Sequence, residues 1–459
     1  MEQAFSDMRQ AARSATEAGL QTRLERLASL RRMIADNREL FGRAIAEDFG
    51  QRPQAETDLA EVFPTLEEIR YACRHLRRWM RPQRIRVGRW FLPARAHIRP
   101  RPLGIVGIVA PWNYPLFLTA APLIAALAAG NRAMVKLSEH APAFAAAFDD
   151  AARRHFAPDV LHCVTGGPDI AQAFTALPFD HLLFTGSTAT GRKVMSAASA
   201  NLTPVTLELG GKSPALLAPD ARLDHAVARI MTGKLLNAGQ TCIAPDYVLL
   251  PVDQLQPFIA AAQSWTAAHY PKLAENRDYT RIINAGQFAR LSDWLQAAQA
   301  QGSTIHPLSD AAPDPTSRLM PPMIVTDPAG PLAEDEIFGP ILPVFTYSDM
   351  DEALHHINAR PRPLAFYLFA DDAETRDLAL SSIIAGGVCI NDVIVHVAQP
   401  GLPFGGVGDS GMGAYHGEAG FRQMSHMQPV FIQSRLAAVG LLSPPYRARF
   451  RNLMRLMLR

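Results

Sequence analysis

The sequence has few cysteines and no excess of charge of either sign. Its four cysteines are widely separated and form no CxxC pair; they are Cys73, Cys163, Cys242 and Cys389. Such spacing excludes a disulfide framework and the common zinc motifs, and it favours a reducing, cytoplasmic setting without a bound metal. The 45 basic and 43 acidic residues give a net charge of +2, which provides no electrostatic basis for nucleic-acid binding.

Apolar residues do not form a long uninterrupted run. Residues 102–131 contain no charged side chain, but Pro111, Pro115 and Pro122 interrupt them. A spanning helix needs about 20 consecutive apolar residues, so this stretch predicts a buried strand, a turn and a buried helix. The N-terminus also lacks the basic and apolar regions of a signal peptide. We therefore expect no integral membrane segment.

The C-terminal residues 446–459 are basic, with leucines and methionines interleaved. This pattern predicts a solvated helix or tail. Contact with a membrane surface or a neighbouring subunit is the alternative.

Length and patterning predict an α/β protein with more than one domain. A chain of 459 residues with 48% apolar residues can bury two or three cores. Beyond residue 102, short β-branched runs alternate with longer helical ones, which indicates open, mostly parallel sheets. We assign residues 1–80 and 103–208 to a first, Rossmann-like domain and 209–395 to a second. Residues 81–102 and 396–459 form a small β bridging element and tail.

The most regular runs of this alternation define individual elements. Strands are predicted at 105–109, 133–136, 181–184 and 205–207. Helices are predicted at 116–129, 191–200 and 223–236.

Four segments set reactive or polar residues among glycines and prolines, each at the end of a predicted element. They are 111–115, 184–188, 207–212 and 237–242. Ligands of open α/β proteins collect at the carboxyl ends of strands, so these segments are candidates for one site.

Cys242, Glu208 and Asn113 are the candidate reactive residues. Cys242 follows a helix predicted to end at Asn237, with Gly239 as terminator, and this polar loop favours a reactive thiol over a structural one. The other cysteines lie in apolar patterns and are predicted to be structural. Glu208 stands between two leucines and is either a general base with a raised pKa or a solvent-facing glutamate. Asn113 can donate to an oxyanion, although by itself it is more typical of a turn.

Gly186, Ser187 and Gly191 lie between a predicted strand and a helix. Backbone N–H groups at a helix N-terminus suit a pyrophosphate. The segment lacks the full GxGxxG pattern, so a plain turn is the default interpretation.

Six motifs, in their order along nearly the whole chain, resemble those of the aldehyde dehydrogenase superfamily. They are Pro-Trp-Asn-Tyr-Pro, Phe-Thr-Gly-Ser-Thr, Leu-Glu-Leu-Gly-Gly-Lys, Gly-Gln-Thr-Cys, Glu-Ile-Phe-Gly-Pro and Leu-Pro-Phe-Gly-Gly. Segments 244–247 and 410–417 are similar to the class 3 branch. Within that branch, the chain most resembles the bacterial enzymes that oxidise coniferyl aldehyde.

The resemblance implies a role for each candidate residue. Cys242 would be the nucleophile that carries a thioester, Glu208 the base for the hydrolytic water, and Asn113 an oxyanion donor. The first domain would bind the cofactor and the second would carry the nucleophile. Implied cofactor contacts are Lys136 and Glu139 at the adenosine ribose, Ser187 with Gly186 and Gly191 at the pyrophosphate, Glu336 at the nicotinamide ribose, and Phe338 near the nicotinamide.

The resemblance also implies an NAD(P) cofactor and an aldehyde substrate. Glu139 should bind a free ribose 2′-hydroxyl, which favours NAD, while NADP stays possible. Residues 230–234 lack the aromatic side chain common in class 3 relatives. A wide pocket near Met231 and Thr232, compatible with an aromatic aldehyde, is therefore expected.

Several alternatives stay open. A medium- or long-chain aliphatic aldehyde is the main competing substrate. A CoA-acylating or reductive reaction would have less need of Glu208, and a non-catalytic binding protein would tolerate loss of Cys242. The arm at 81–102 and the C-terminal tail suggest a homodimer.

Overall fold

The computed structural model describes residues 1–14, 16–436 and 443–458 of the chain. Its N-terminal part is helical, because apolar side chains such as Leu27, Leu30 and Ile34 recur at helical spacing and are buried. The helices are α1 (Glu2–Ser14), α2 (Leu20–Asp36), α3 (Arg38–Phe49), α4 (Gln54–Thr57) and α5 (Phe63–Trp79). Two strands follow, β1 (Gln83–Ile85) and β2 (Arg95–Pro102).

The first α/β series follows the predicted alternation. Its strands are β3 (Ile105–Val109), β4 (Arg132–Lys136), β5 (Leu161–Val164), β6 (His181–Gly186) and β7 (Val205–Leu209). Its helices are α6 (Phe117–Ala129), α7 (Pro142–His155), α8 (Pro168–Thr175) and α9 (Thr188–Ser199). Every residue of α6 is buried, which accounts for the stretch without charged side chains. Helix α9 begins three residues before the predicted position because the Ser187 hydroxyl caps it, accepting from the Thr190 amide at 3.3 Å.

The second series contains seven strands and six α-helices. The strands are β8 (Pro214–Leu217), β9 (Tyr247–Pro251), β10 (Thr304–Pro307), β11 (Met323–Thr326), β12 (Ile341–Tyr347), β13 (Ala365–Phe369) and β14 (Gly387–Ile390). The helices are α10 (Leu223–Leu235), α11 (Leu255–His269), α12 (Ala285–Ala300), α13 (Pro331–Glu334), α14 (Met350–Asn358) and α15 (Ala373–Ser382).

The C-terminal part contributes to more than one region. It contains β15 (Gly411–Met412), α16 (Gly417–Gln423), β16 (Ser425–Ile432) and α17 (Ala448–Met457). Strand β15 pairs with β7, and α16 packs on α5 and α6, so these residues join the first α/β layer instead of the arm. Helix α17 has no buried residue. The other tail positions, 437–442 and 459, lie outside the described residues.

Three sheets organise the described chain, and the two large ones confirm the predicted α/β class. The first has the order β15-β7-β6-β3-β4-β5 and the second β10-β11-β12-β9-β8-β13-β14. Both are parallel except at one edge, where β15 and β10 run antiparallel to their neighbours. The third sheet is antiparallel, with the order β1-β2-β16. Among the described residues, no helix has the length and apolar character needed to cross a membrane.

Strand order brings three of the four candidate segments together. Strands β3, β6 and β7 are consecutive neighbours in the first sheet. Their carboxyl ends lead into 111–115, 184–188 and 207–212, so these segments share one edge of the sheet.

Candidate active site

Two cavities meet at Cys242. The first has a volume of about 510 Å³ and lies at the carboxyl edge of the first sheet. The second has a volume of about 420 Å³ and is lined mainly by apolar side chains. Cys242, Leu118 and Phe404 line both cavities. The thiol is therefore accessible from two sides, and we name these spaces the inner cavity and the apolar cavity.

The loop before Cys242 has a strained backbone held by hydrogen bonds. Helix α10 ends at Leu235, and Asn237 and Ala238 have φ values of 53° and 50°. Gly239 also has a positive φ, 73°, and a Cβ there would lie 2.3 Å from the Gly339 carbonyl oxygen. Position 239, the predicted helix terminator, therefore requires glycine, because a side chain there would be strained by the positive φ and would clash with Gly339. Positive φ at two non-glycine residues indicates that the fold imposes this turn.

The Gln240 side chain anchors the same loop. Its Nε2 donates to the carbonyls of Asn237 and Arg281, both at 3.0 Å, and its Oε1 accepts from the Ile283 amide at 2.9 Å. All three bonds are buried. The residue just before Thr241-Cys242 thus serves to hold the cysteine loop.

Asn113 lines the inner cavity beside this loop. Its Nδ2 donates to the Gln240 carbonyl at 3.1 Å, while its own carbonyl accepts from the Asn237 side chain at 2.9 Å. A side-chain amide has two N–H groups, so the second can donate to a bound oxygen. The interpretation of Asn113 as only a turn residue is therefore incomplete.

A buried ion cluster that sequence reasoning missed supports Asn113. Arg52 Nη1 donates to the Asn113 carbonyl at 3.2 Å and lies 2.8 Å from Glu61. Arg52 Nε lies 3.3 Å from Glu56. Glu61 also accepts from the backbone amide of Leu116 at 2.7 Å. These contacts cross from α4 and the π-helical turn at Asp58–Val62 to the 111–117 loop, so no local pattern in the sequence could reveal them.

Glu208 enters the inner cavity from β7. The residue is 2% exposed, and among the described residues neither carboxyl oxygen has a hydrogen-bond partner. Burial raises its pKa well above the ordinary value of 4.5. The solvent-facing alternative for Glu208 is thereby excluded.

The thiol of Cys242 is in an environment that favours its protonated form. Burial, followed by the nearby carboxyl groups of Glu336 and Glu208, raises the pKa of this thiol above its ordinary value. The backbone N–H groups of Cys242 and Ile243 oppose the shift. Because burial is the largest cause, the exclusion of water disfavours the thiolate more than the neighbouring carboxyl groups do.

Other predicted residues surround the far part of the inner cavity. Gly186 and Ser187 line it at the N-terminus of α9, and Glu336 and Phe338 line it from the second series. The Phe338 and Trp112 rings meet edge to face, with centroids 5.3 Å apart. Burial raises the pKa of Glu336 to about 8.

Gly191 does not line this cavity. A Cβ at Gly191 would lie 2.5 Å from Leu209 Cδ2. Gly191 instead lets the first turn of α9 pack closely against β7.

Lys136 and Glu139 also lie outside the cavity lining. Lys136 ends β4 and pairs in register with Val109 of β3, so it lies near the same sheet edge. Its Nζ is 3.0 Å from Glu139 Oε2. Although burial opposes it, hydrogen bonds from the Glu139 backbone amide and Lys136 keep the pKa of Glu139 below its ordinary value.

A second buried ion pair fixes the position of Glu336. Lys212 Nζ lies 2.6 Å from Asp246 and donates to the Asp335 carbonyl at 2.8 Å. Asp246 in turn accepts from the Ile337 amide at 2.9 Å. Lys212 belongs to the Leu-Glu-Leu-Gly-Gly-Lys motif, which is the sequence signal that could have identified this role.

The apolar cavity corrects the expected position of the substrate pocket on α10. Thr232 lines it, but Met231 is fully buried in the core on another face of the helix. Gly233 and Arg229 line the cavity instead. The α10 residues that line the cavity are three and four positions apart, so they lie on one face of the helix.

The chain is similar to known proteins in its family pattern, its sequence and its structure. Residues 1–430 match the family model described as the aldehyde dehydrogenase family. A probable coniferyl aldehyde dehydrogenase of Pseudomonas aeruginosa is 45% identical over 92% of this chain and 89% of its own length. A coniferyl aldehyde dehydrogenase of a Pseudomonas species is 42% identical over 96% and 92%, respectively. The substrate-bound structure of Staphylococcus aureus AldH superposes with a TM-score of 0.94 at 35% identity and covers 99% of both chains.

Proposed function

We propose, from the premise that the chain belongs to the aldehyde dehydrogenase family, that it oxidises an aromatic aldehyde of the coniferyl type to the carboxylic acid. NAD(P) is the cofactor and Cys242 carries the thioester. One observation carries the assignment of the nucleophile: Cys242 lies where the inner cavity meets the apolar cavity. A thiol in that position can contact an aldehyde from one side and a hydride acceptor from the other.

The residues of the inner cavity fit a dinucleotide. Ser187 presents the N-terminus of α9, where backbone N–H groups suit a pyrophosphate. Glu336 Oε1 is buried and has no partner among the described residues, so it can accept from a ribose hydroxyl. We assign Lys136 and Glu139 to the adenosine ribose, Gly186, Ser187 and Gly191 to the pyrophosphate, Glu336 to the nicotinamide ribose, and Phe338 to the nicotinamide. When bound, NAD(P) supplies the ring that accepts a hydride.

The first half-reaction is an addition followed by an oxidation. The thiolate form of Cys242 bonds through Sγ to the aldehyde carbon, and the carbonyl oxygen becomes an oxyanion. Asn113 Nδ2 and the Cys242 backbone N–H donate to that oxygen. When the carbonyl re-forms, the aldehyde hydrogen leaves with its electron pair. The substrate then remains as a thioester on Cys242, now at the oxidation level of an acid.

Glu208 completes the reaction as a general base. Its unpartnered carboxylate accepts a proton from water as the water oxygen attacks the thioester carbon. The carbon–sulfur bond breaks, the acid leaves, and Cys242 returns to the thiolate form in which the cycle began. This hydrolytic role favours acid formation over transfer to CoA.

The apolar cavity supports an aromatic substrate. Its walls include Phe117, Phe404, Ile243 and Val393, and its lining is mainly apolar. An aliphatic aldehyde would also fit such walls, so it is the second candidate.

A substrate panel tests this proposal. We would follow cofactor reduction at 340 nm with NAD and NADP, using coniferyl aldehyde, cinnamyl aldehyde, benzaldehyde, hexanal and decanal. We expect the highest kcat/KM with coniferyl or cinnamyl aldehyde and no activity in Cys242→Ala. A preference for the alkyl aldehydes would overturn the aromatic assignment, and activity of Cys242→Ala would overturn the nucleophile.

We further propose that the domain built on the six-stranded sheet binds the cofactor, and that the domain built on the seven-stranded sheet carries the nucleophile. A homodimer is proposed because the three-stranded sheet exposes Phe431 and Ile432, and the turn between β1 and β2 exposes Phe91. Sedimentation equilibrium tests the proposed dimer, and a monomeric mass would contradict it.

All four cysteines are free, which supports a reducing, cytoplasmic setting. Fractionation of source cells tests that location.

A further inference from the structure

One wall of the apolar cavity carries a single charged side chain. Arg229, Thr232, Gly233 and Leu236 line the cavity along the end of α10, at the spacing that places residues on one helix face. Among the described residues that line this cavity, Arg229 is the one with a charge. A guanidinium in an otherwise apolar wall needs either a structural or a recognition role.

The other polar side chains around this cavity already have partners. The Thr232 hydroxyl donates to the Ala228 carbonyl at 2.7 Å. The hydroxyls of Tyr114 and Thr241 bond each other, also at 2.7 Å. The donors that remain for a ligand, apart from the catalytic centre, belong to Arg229.

Arg229 is positioned by one of its three nitrogens. Its Nε donates to Asp392 Oδ1 at 2.7 Å, and the same oxygen accepts from the Val393 amide. In the described part of the chain, neither Nη1 nor Nη2 has a protein acceptor. The ion pair is about one-third exposed, so the guanidinium is accessible.

The loop that follows Asp392 keeps this pair in place. Residues Val393, Ile394 and Val395 line the same cavity as α10. A Cβ at Gly233 would lie 2.4 Å from Val393 Cγ2, so the absence of a side chain lets the loop pack directly on α10. Arg229 and Asp392 therefore hold a defined position where helix and loop meet.

We propose that Arg229 and Asp392 form an oxygen-binding subsite that recognises the hydroxyl and methoxy groups on the ring of an aromatic aldehyde. This inference rests on the proposed function and deepens it. Nη1 and Nη2 donate to the ring oxygens, while Asp392 orients the guanidinium through its bond to Nε. An alkyl aldehyde offers no oxygen at this position and leaves the guanidinium without a partner. The subsite thus separates the two substrate classes that the apolar walls alone accept.

The test measures a ratio of kcat/KM values for coniferyl and cinnamyl aldehydes, because the second lacks both ring oxygens. In Arg229→Met, which keeps an unbranched stem but removes the guanidinium, we expect this ratio to fall roughly 10- to 100-fold, as for loss of hydrogen bonds from a charged donor. Arg229→Lys should restore part of it. Arg222→Met removes an arginine from the exposed N-cap of the same helix and should leave the ratio unchanged.

Asp392→Asn separates recognition from a purely structural role. If the pair only fastens the 393–398 loop, Arg229→Met and Asp392→Asn will lower kcat/KM equally for both aldehydes, which overturns the subsite. An unchanged ratio in Arg229→Met, with wild-type enzyme still preferring coniferyl aldehyde, also overturns it. Absence of any coniferyl aldehyde oxidation by the wild-type enzyme contradicts the proposed function itself.

Discussion

Glu208 pairs in register with Gly411, because the short strand β15 runs antiparallel to β7 at its carboxyl end. The Leu209 amide next to it donates to the Ser410 carbonyl at 3.1 Å. The backbone of Glu208 is thus held from both sides, while its carboxyl group lies unpartnered in the inner cavity. A carboxyl group held in this way can bind water without a competing partner among the described residues.

We expect Glu208→Gln to separate the two half-reactions. Reduced cofactor should appear as a burst close to the enzyme concentration, followed by slow turnover, because thioester hydrolysis loses its base. In the wild-type enzyme, the deacylation rate should rise with pH, since burial raises the pKa of Glu208 and the carboxylate forms only as pH increases. Stopped-flow and steady-state measurements across pH test both points. Wild-type steady-state turnover in Glu208→Gln would contradict the assignment.

Asn113→Ala should lower kcat roughly 100- to 1,000-fold, by analogy with loss of one donor from other oxyanion sites. The reason is that Nδ2 is the side-chain donor beside the cysteine loop. Cofactor affinity, measured by fluorescence titration, should stay close to that of the wild type. A loss of cofactor binding as large as the loss of kcat would instead indicate collapse of the loop.

Much of this architecture follows from local patterns. Strand β3 occupies the predicted residues 105–109, and α6 and β4 begin within one residue of the predicted positions. The regularity of buried β-branched runs and apolar helices explains this agreement. Cys242 and Glu208 could be named as candidates because each lies in a short local motif, while their proposed roles come from the family resemblance.

Long-range contacts were not predictable in the same way. Arg52 supports Asn113 from 61 positions earlier in the chain. Lys212 reaches Asp335 across 123 positions. Helical periodicity places Met231 and Thr232 on different faces, but which face meets the cavity depends on the loop at 393–398. Such partners are defined by the packing of distant elements, which one sequence does not specify.

Glu139→Ala should shift cofactor use toward NADP. The carboxylate of Glu139, kept ionised by Lys136 at 3.0 Å, would repel a 2′-phosphate in the proposed adenosine site. Its removal also frees Lys136 to bind that phosphate. We expect the ratio of kcat/KM for NADP to that for NAD to rise about tenfold, equivalent to about 1.4 kcal/mol. Glu275→Ala, at an exposed position outside the inner cavity, is the control, and an equal rise there would refute the role of Glu139.

Glu68 should make the stability of the fold depend on pH. This carboxyl is buried in α5, and burial raises its pKa from 4.5 to about 8, while the Gly417 amide opposes the shift. Its neighbour His416, with Nε2 3.8 Å away, is neutral because burial lowers the pKa of that imidazole to about 3. Between pH 4.5 and 8, the folded protein therefore binds a proton at Glu68 that the unfolded chain releases. This contribution to stability is complete below pH 4.5 and is lost as pH rises through about 8.

Glu68→Gln removes that titration and keeps a neutral side chain of similar shape. Relative to wild type, the free energy of unfolding of Glu68→Gln should therefore increase as pH rises from 5 to 9, by an amount on the order of a few kcal/mol. Because Glu208 and Glu336 titrate in both proteins, the difference between the two urea titrations isolates Glu68. Glu67→Gln is the matched control, because it makes the same chemical change at the adjacent, partly exposed carboxyl that pairs with Arg70. A pH-independent difference for Glu68→Gln would mean that Glu68 is ionised in the folded protein, and a charged Glu68 would require a cation that the packing around His416 does not provide.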